Sequence, residues 1–244
     1  MSGTPYTPVF TVPSERASAI PNLRPRDAAT LIVIDRSSTV PRVLMGRRKA
    51  SLRFMPGLYV FPGGRVDAGD AGMAHAGTVD LERLRRPTPK LTGRRARALA
   101  LAAIRETYEE AGVLIGRAEA PTRVPGEAWA PFATHGVTPD LDALVYVARA
   151  VTPPRRPRRF DTRFFACDIA DAPVVLAEGE RPETDLEALE WLTFAEAREK
   201  PLPFITTLII ADLEPRLMAS DWRAARHPVP NYVERAGKNL RTDL

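Results

Sequence analysis

The segment 94–112 constrains this chain most, because it predicts one long helix with a crowded acidic face. The segment is rich in Ala, Leu and Arg, and Gly112 stands where a helix commonly ends. Three carboxylates at spacings of three and four residues share one face near its end: Glu106, Glu109 and Glu110. They repel one another, and the single guanidinium of Arg105 does not neutralise all three. The pattern predicts a site for a hard divalent cation, with a solvated acidic face as the alternative.

Short apolar, β-branched runs around this helix predict strands. The predicted strands cover 28–34, 42–45, 57–61, 113–115, 141–151, 164–169, 174–177 and 188–192, and the first two are expected to form a hairpin. Further helices are predicted at 78–86 and 203–219. Thr193 and Glu196 have the spacing of a capping box, which predicts another helix start. Strands flanked by helices predict an α/β sandwich with a mixed sheet.

The length of 244 residues fits one large domain or one domain with extensions. We divide the chain into a proline-containing N-terminal extended arm (1–26), a main domain (27–220) and a C-terminal extension (221–244). A single cysteine, Cys167, excludes an internal disulfide framework and a cysteine-rich zinc site. No apolar run approaches the roughly 18 residues of a membrane span, and no secretory signal is recognisable at the N-terminus. We therefore expect a soluble cytoplasmic protein.

The nine residues from Arg105 to Val113 resemble the core of the Nudix box. That box reads Gly, five residues, Glu, seven residues, then Arg-Glu-apolar-x-Glu-Glu-x-Gly-apolar. Gly64 matches its first glycine, while Asp70 stands in place of the first Glu and Thr107 in place of the first apolar residue. Asp70 and Arg105 are separated by 34 residues. The box would therefore span 64–113 with an insertion at about 71–97, which its Gly and Pro breaks predict to be a surface excursion.

The Nudix resemblance implies a fold and a site. The fold is a Nudix-type α/β/α sandwich with a mixed central sheet. Mg²⁺ or Mn²⁺ would be held by Glu106, Glu109 and Glu110, with the backbone carbonyl of Gly64 as a further ligand. Arg105 would orient the carboxylates by pairing with them.

A second resemblance covers 44–64, which is similar to the motif of coenzyme A-cleaving Nudix enzymes. Arg48, Arg53, Gly57 and the run Phe-Pro-Gly-Gly at 61–64 match that motif, whereas positions 45, 46 and 49 do not. Arg48 and Arg53 are therefore predicted to bind substrate phosphates, since Arg holds phosphate oxygens well. The alternative is a solvated basic turn. The segment 157–165 looks like part of a eukaryotic Nudix subgroup that also has a long box insertion, and 190–197 resembles the late strand-to-helix passage of Nudix folds.

The implied reaction is hydrolysis of the pyrophosphate bond of a nucleoside diphosphate derivative, with coenzyme A or acyl-coenzyme A as the favoured substrate. Glu183 is the first choice for a general base, ahead of Asp185 and Glu187 in the same late loop. The scattered His75, His135 and His227 are not expected to act.

Two alternatives remain open from the sequence. One keeps the chemistry but acts on ADP-ribose, NADH or another nucleoside diphosphate derivative. The other is a non-catalytic module that binds nucleotides or RNA through the basic run 155–159, although no aromatic residues interleave with that run. The net charge of +5 suits anionic small molecules and does not require nucleic acid. The expected partner is a small nucleotide, without membrane or nucleic acid, and a homodimer is compatible with the sequence.

Overall fold

A computed structural model describes residues 21–52, 54–235 and 238–244. Most of the predicted arm, residues 1–20, and the predicted phosphate ligand Arg53 lie outside the described residues. In the described part of the chain the strands are β1 (Arg26–Asp35), β2 (Arg42–Arg48), β3 (Tyr59–Val60), β4 (Gly63–Arg65), β5 (Val113–Leu114), β6 (Val145–Val151), β7 (Phe160–Asp168), β8 (Val174–Val175), β9 (Leu186–Thr193), β10 (Pro230–Arg235) and β11 (Lys238–Asp243). The α-helices are α1 (Leu81–Arg85), α2 (Gly93–Ala111), α3 (Ala130–Thr134), α4 (Phe194–Glu199) and α5 (Phe204–Leu217).

One mixed sheet forms the centre of the molecule. Its strands follow the order β11-β10-β6-β7-β1-β2-β3, with β4 paired to β1 and β9 paired to β2. The β1/β7 and β10/β6 pairs are parallel, and the other pairs are antiparallel. Ile34 faces Val43 in the antiparallel β1/β2 pair, which confirms the predicted hairpin. A separate short ladder joins β5 to β8.

Both faces of the sheet are covered by helices. Along β1, Leu31 and Val33 pack into a core shared with α2, whereas Ile32 and Ile34 pack into a second core shared with α5. This alternation is the period of two that a strand imposes on its side chains. The structure confirms the predicted α/β sandwich with a mixed sheet.

The long helix α2 begins and ends as its sequence predicts. Thr92 precedes it, and its side-chain oxygen accepts a hydrogen bond from the backbone N–H of Arg95 at 3.2 Å. Gly112 follows it with φ of 68°, a left-handed conformation that glycine adopts without a steric penalty. The predicted capping box is confirmed too, because Thr193 and Glu196 satisfy each other's backbone N–H groups at the start of α4.

The predicted strand at 141–151 is wrong over its first residues. Leu141–Ala143 form a 3₁₀ turn instead, and β6 starts at Val145. The reason is local: the side chain of Asp140 accepts a hydrogen bond from the backbone N–H of Asp142, which stabilises a turn.

The segment 71–92, between the loop of Asp70 and the helix α2, contributes to the core. Met73, Leu84 and Leu91 are buried in the cluster that also contains the apolar face of α2. The expectation of a surface excursion is therefore wrong for these three side chains, since each buries apolar area beneath the helix.

Residues after 220 extend the central sheet at one side. β10 and β11 pair as an antiparallel ladder, and β10 lies parallel to β6 with Tyr232 opposite Ala150. Within the described ranges, none of the helices combines the length and the apolar character needed to cross a membrane.

Candidate active site

Arg105 is the centre of a buried polar network at the end of α2. Its Nε donates to Asp70 Oδ1 at 2.8 Å, and its Nη2 donates to Asp70 Oδ2 at 3.2 Å and to the carbonyl of Arg65 at 2.9 Å. Its Nη1 donates to Glu106 Oε1 at 2.9 Å and to Glu109 Oε2 at 2.8 Å. These bonds engage all three nitrogens of the guanidinium. Arg105 thus fixes two of the predicted metal ligands on one side and the Asp70 loop on the other.

Asp70 is fully buried and anchors this network. Besides Arg105, its carboxylate accepts hydrogen bonds from the indole Nε1 of Trp129 at 3.2 Å and from the backbone N–H of Asp67 at 2.7 Å. Burial by itself would lower the pKa of Arg105, but hydrogen bonding to Asp70 and the charge of Glu106 outweigh it, so the pKa is raised. Asp70, at the first acidic box position, therefore keeps Arg105 in place. Arg105 in turn keeps Glu106 and Glu109 in place.

Two glycines allow the glutamates of α2 to approach β4 closely. A Cβ atom built on Gly64 would lie 2.5 Å from Glu106 Oε1, so a larger residue at this position would push the carboxylate away. Glu110 Oε2 accepts a hydrogen bond from the backbone N–H of Gly63 at 2.8 Å. The Phe-Pro-Gly-Gly run and the acidic helix are therefore in direct contact.

Thr107 occupies the box position where an apolar residue is usual. It is fully buried, and its Oγ1 donates to the carbonyl of Ala103 at 2.8 Å, four residues earlier in the helix. This local bond satisfies the hydroxyl, so the departure from the pattern leaves no unpaired polar group in the core.

All three glutamates are harder to ionise than usual. Burial raises the pKa of Glu106 to about 7, against the opposing charge of Arg105. Burial raises the pKa of Glu110 to about 8, although the hydrogen bond from Gly63 acts to lower it. Burial also raises the pKa of Glu109. Packing these carboxylates together without a compensating cation is costly, which is the electrostatic condition that a divalent ion relieves.

The pairing of β2 with β9 brings the basic turn opposite the late acidic loop. Arg48 lies across from Leu186 in this antiparallel pair, and the backbone N–H of Lys49 donates to the carbonyl of Asp185 at 3.0 Å. Arg48 Nη2 lies 3.5 Å from Asp185 Oδ2, and its Nε donates to the carbonyl of Phe54 at 3.0 Å. The charge of Arg48 lowers the pKa of Glu110, and the charge of Asp185 raises it.

The three acids of the late loop differ in their placement. The side chain of Glu183 is 96% exposed and pairs with Lys49 Nζ at 3.9 Å, and Glu187 pairs with Arg47 at 2.9 Å. Asp185 is 58% exposed and lies 3.5 Å from Arg48, and its charge contributes to the raised pKa of Glu110. Asp185 is thus a site candidate that the sequence ranked below Glu183, because the strand pairing that decides between them is non-local.

The donor set fits a hard divalent cation by its chemistry. Among the described residues, no three Asp, Glu, His or Cys side chains are already grouped so that they could hold a metal ion. The carboxylates are instead bonded to Arg105 and Gly63, each through one oxygen. Carboxylate and carbonyl oxygens are the ligands that Mg²⁺ and Mn²⁺ prefer, so these residues suit such an ion.

Comparison with known proteins identifies the family. The chain is 30% identical to a NUDIX hydrolase from Alicyclobacillus acidocaldarius of known crystal structure, over 79% of this chain and 92% of that one, with a TM-score of 0.60. This chain belongs to the Nudix hydrolase family. It is also 28% identical to the putative nudix hydrolase 7 of Caenorhabditis elegans, over 89% of this chain and 72% of that protein. No family model matches this Nudix chain. The predicted family, fold class and hydrolase class are confirmed.

Proposed function

We propose that this Nudix hydrolase is a Mg²⁺- or Mn²⁺-dependent diphosphatase that cleaves the pyrophosphate bond of a nucleoside diphosphate derivative. The observation that carries the proposal is the contact between the acidic end of α2 and β4. There Arg105 holds Glu106 and Glu109 beside Gly64, while Glu110 is bound to Gly63. Burying these charged side chains costs free energy, and an acidic face that only contacted solvent would not require that cost.

Each residue of the site has a role in this proposal. Glu106, Glu109 and Glu110, with the carbonyl of Gly64, would hold the metal. When bound, the ion neutralises the charge of the diphosphate and lowers the pKa of a coordinated water molecule. Arg105 keeps the carboxylates in place through its bonds to Asp70.

Substrate phosphates would be bound by Arg48, whose positive charge lowers the pKa of Glu110 against the effect of burial. Arg53 has the same role in the proposal. The proton of the attacking water would go to a carboxylate oxygen of the late loop. Asp185 is the stronger candidate, because it pairs with Arg48 and its charge contributes to the raised pKa of Glu110, whereas Glu183 is almost fully exposed and pairs with Lys49.

Coenzyme A or an acyl-coenzyme A is the substrate that we favour, on the match of Arg48, Gly57 and 61–64 to the corresponding motif. ADP-ribose and NADH share the diphosphate and are the rival substrates. An RNA-binding module is disfavoured because Arg159, in the basic run, is used internally: it donates to the carbonyl of Thr152 and to the side chain of Asn22. We also propose a cytoplasmic location, with a homodimer as the assembly to be tested.

The test is a panel of coenzyme A, ADP-ribose, NADH and diadenosine polyphosphates with Mg²⁺ or Mn²⁺, with products read by mass. We expect adenosine 3′,5′-bisphosphate and a phosphopantetheine product from coenzyme A. Glu109→Gln should lower kcat by at least about 100-fold, the upper range for the loss of a group that supports a metal. Glu82→Gln is the matched control, because Glu82 is an exposed helical glutamate outside the site.

Three outcomes would contradict the proposal at different levels. Full activity in Glu109→Gln would overturn the metal assignment. Faster cleavage of ADP-ribose than of coenzyme A would overturn the substrate assignment but leave the reaction class intact. RNA binding that persists at physiological salt, without hydrolysis of any diphosphate, would replace the enzyme by a binding module.

A further inference from the structure

Trp129 is a buried tryptophan that lies outside the box and still contacts the proposed diphosphatase site. It ends the 3₁₀ turn Glu127–Trp129, directly before α3, and it is 1% exposed. Its indole Nε1 donates to Asp70 Oδ1 at 3.2 Å, across 59 positions of the chain. The site thus receives a hydrogen bond from a residue that none of the box positions includes.

Trp129 and Arg105 share one acceptor atom. Arg105 Nε donates to Asp70 Oδ1 at 2.8 Å, so this oxygen has two donors, Arg105 Nε and Trp129 Nε1. Asp70 Oδ2 also has two donors, Arg105 Nη2 and the backbone N–H of Asp67. Hydrogen bonds in a buried network strengthen one another, so loss of the indole donor lets the carboxylate move relative to Arg105.

Aromatic packing holds the indole of Trp129 beside this acceptor. The rings of Trp129 and Phe132 have centroids 5.0 Å apart, and Phe132 meets Tyr108 edge to face with centroids 5.9 Å apart. Ring pairs at such separations are favourable beyond the area that they bury. Tyr108 belongs to α2, so the helix that carries the glutamates also supports Trp129.

The hydrogen bonds that start at Trp129 lead without a break to two of the proposed metal ligands. Asp70 binds Arg105. Arg105 Nη1 in turn donates to Glu106 Oε1 at 2.9 Å and to Glu109 Oε2 at 2.8 Å. A tryptophan that only filled space could satisfy its N–H with any backbone carbonyl. Trp129 uses instead the carboxylate that holds the arginine, which indicates a role beyond packing.

We propose that Trp129 is a positioning residue of the diphosphatase, whose indole N–H keeps Asp70 aligned with Arg105. This alignment keeps Glu106 and Glu109 in place to hold a divalent ion. The inference rests on the proposed function, because it concerns the same metal site. Since Trp129 acts through Asp70, the effects of changing these two residues are not independent.

The test is a double-mutant cycle of Trp129→Phe and Asp70→Asn, read by the affinity for Mn²⁺. The dissociation constant is measured by electron paramagnetic resonance in the absence of substrate. Phenylalanine keeps an aromatic ring in the core but has no donor. We expect Trp129→Phe to raise the dissociation constant by about tenfold, the lower end for residues that support metal ligands. The double variant should lose less affinity than the product of the two single losses.

Trp222→Phe is the matched control, because it makes the same change at a tryptophan that is 2% exposed in the core shared with α5. Its Mn²⁺ affinity should equal that of the wild type. Wild-type affinity in Trp129→Phe would overturn the inference, as would an equal loss in Trp222→Phe or losses that multiply in the double variant.

Turnover of the diphosphate panel by the wild type separates the two proposals. If the wild type cleaves a diphosphate, the contrary outcomes above refute only the role of Trp129. A wild type that neither binds Mn²⁺ nor cleaves any diphosphate refutes the proposed function and the inference with it.

If Trp129→Phe does not fold, nuclear magnetic resonance of the wild type decides. The chain has three tryptophans, so ¹⁵N-labelled protein gives three indole N–H signals, and Trp191→Phe and Trp222→Phe identify the other two. Saturating Mg²⁺ should shift the Trp129 signal more than the Trp222 signal, because Arg105 and Trp129 donate to the same oxygen. A Trp129 signal that Mg²⁺ leaves unchanged would refute the inference.

Discussion

Replacement of Asp70 by Asn tests whether the buried Asp70–Arg105 pair supports the acidic helix. The substitution keeps the shape of the side chain but removes its charge, and it turns one acceptor into an amide donor. Asp70 is fully buried and accepts four hydrogen bonds, from two nitrogens of Arg105, from Trp129 and from the backbone of Asp67. At least one of these donors would face the new NH₂ group without an acceptor.

Removing one partner of a buried ion pair costs about 3–5 kcal/mol. Glu106 and Glu109 still act on Arg105 in the variant, so we expect the lower end, about 3 kcal/mol. For a chain of this size that corresponds to a fall in Tm of about 6–12 °C. The free energy of unfolding is measured by urea titration with circular dichroism, in EDTA so that no metal contributes.

Asp67→Asn is the control, because it makes the same chemical change beside the same arginine. Asp67 Oδ2 lies 4.0 Å from Arg105 Nη2, and its side chain is 61% exposed. An exposed pair is worth at most about 1 kcal/mol, so this variant should be close to the wild type. If Asp70→Asn lowers the free energy of unfolding by no more than Asp67→Asn does, the buried pair is not what holds this end of the helix.

Three further predictions concern stability, activity and the pH dependence of stability. A Cβ at position 63 would lie 2.6 Å from a carbonyl oxygen of β1, so Gly63→Ala should lower the free energy of unfolding by about 1–3 kcal/mol in urea titration. Gly64→Ala meets only the movable end of Glu106, so its urea midpoint should change little while its kcat falls by about 100-fold; unchanged turnover would contradict this. Hydrogen bonding from Ser37 holds the pKa of Asp35 below its usual 3.8 in the folded protein. In acid, Asp35 is therefore protonated more readily in the unfolded state than in the folded state. The loss of stability in Asp35→Asn should therefore be largest at neutral pH and shrink as the pH falls below 3.8, as urea midpoints between pH 7 and 3 will show.

Local signals in the sequence were sufficient for the acidic helix and its surroundings. The end of α2 at Gly112 and the capping box of Thr193 depend on residues within one turn of each other, so spacing alone predicts them. The same holds for the β1/β2 hairpin. The turn at 141–143 was missed because the Asp140 side chain competes with the strand, although an Asp before an apolar run is a readable signal for it.

Contacts between residues far apart in the sequence could not be predicted in this way. The pairing of β2 with β9 brings the late acidic loop to the basic turn, and Arg48 and Asp185, which are 137 positions apart, lie 3.5 Å from each other there. The role of Asp70 depends on Trp129, which is 59 residues away and lies outside the box. No spacing rule connects these residues, since the fold alone brings them together.

The burial of Met73, Leu84 and Leu91 has a consequence for anyone who would trim this enzyme to the usual box length. A shortened chain with seven residues between Asp70 and Arg105 would satisfy the pattern but would lack the three apolar side chains that pack with α2. The helix would lose part of its apolar core while keeping Glu106, Glu109 and Glu110. In this protein the segment 71–92 is part of the hydrophobic core, so the two halves of the box can be brought closer only if that core is redesigned.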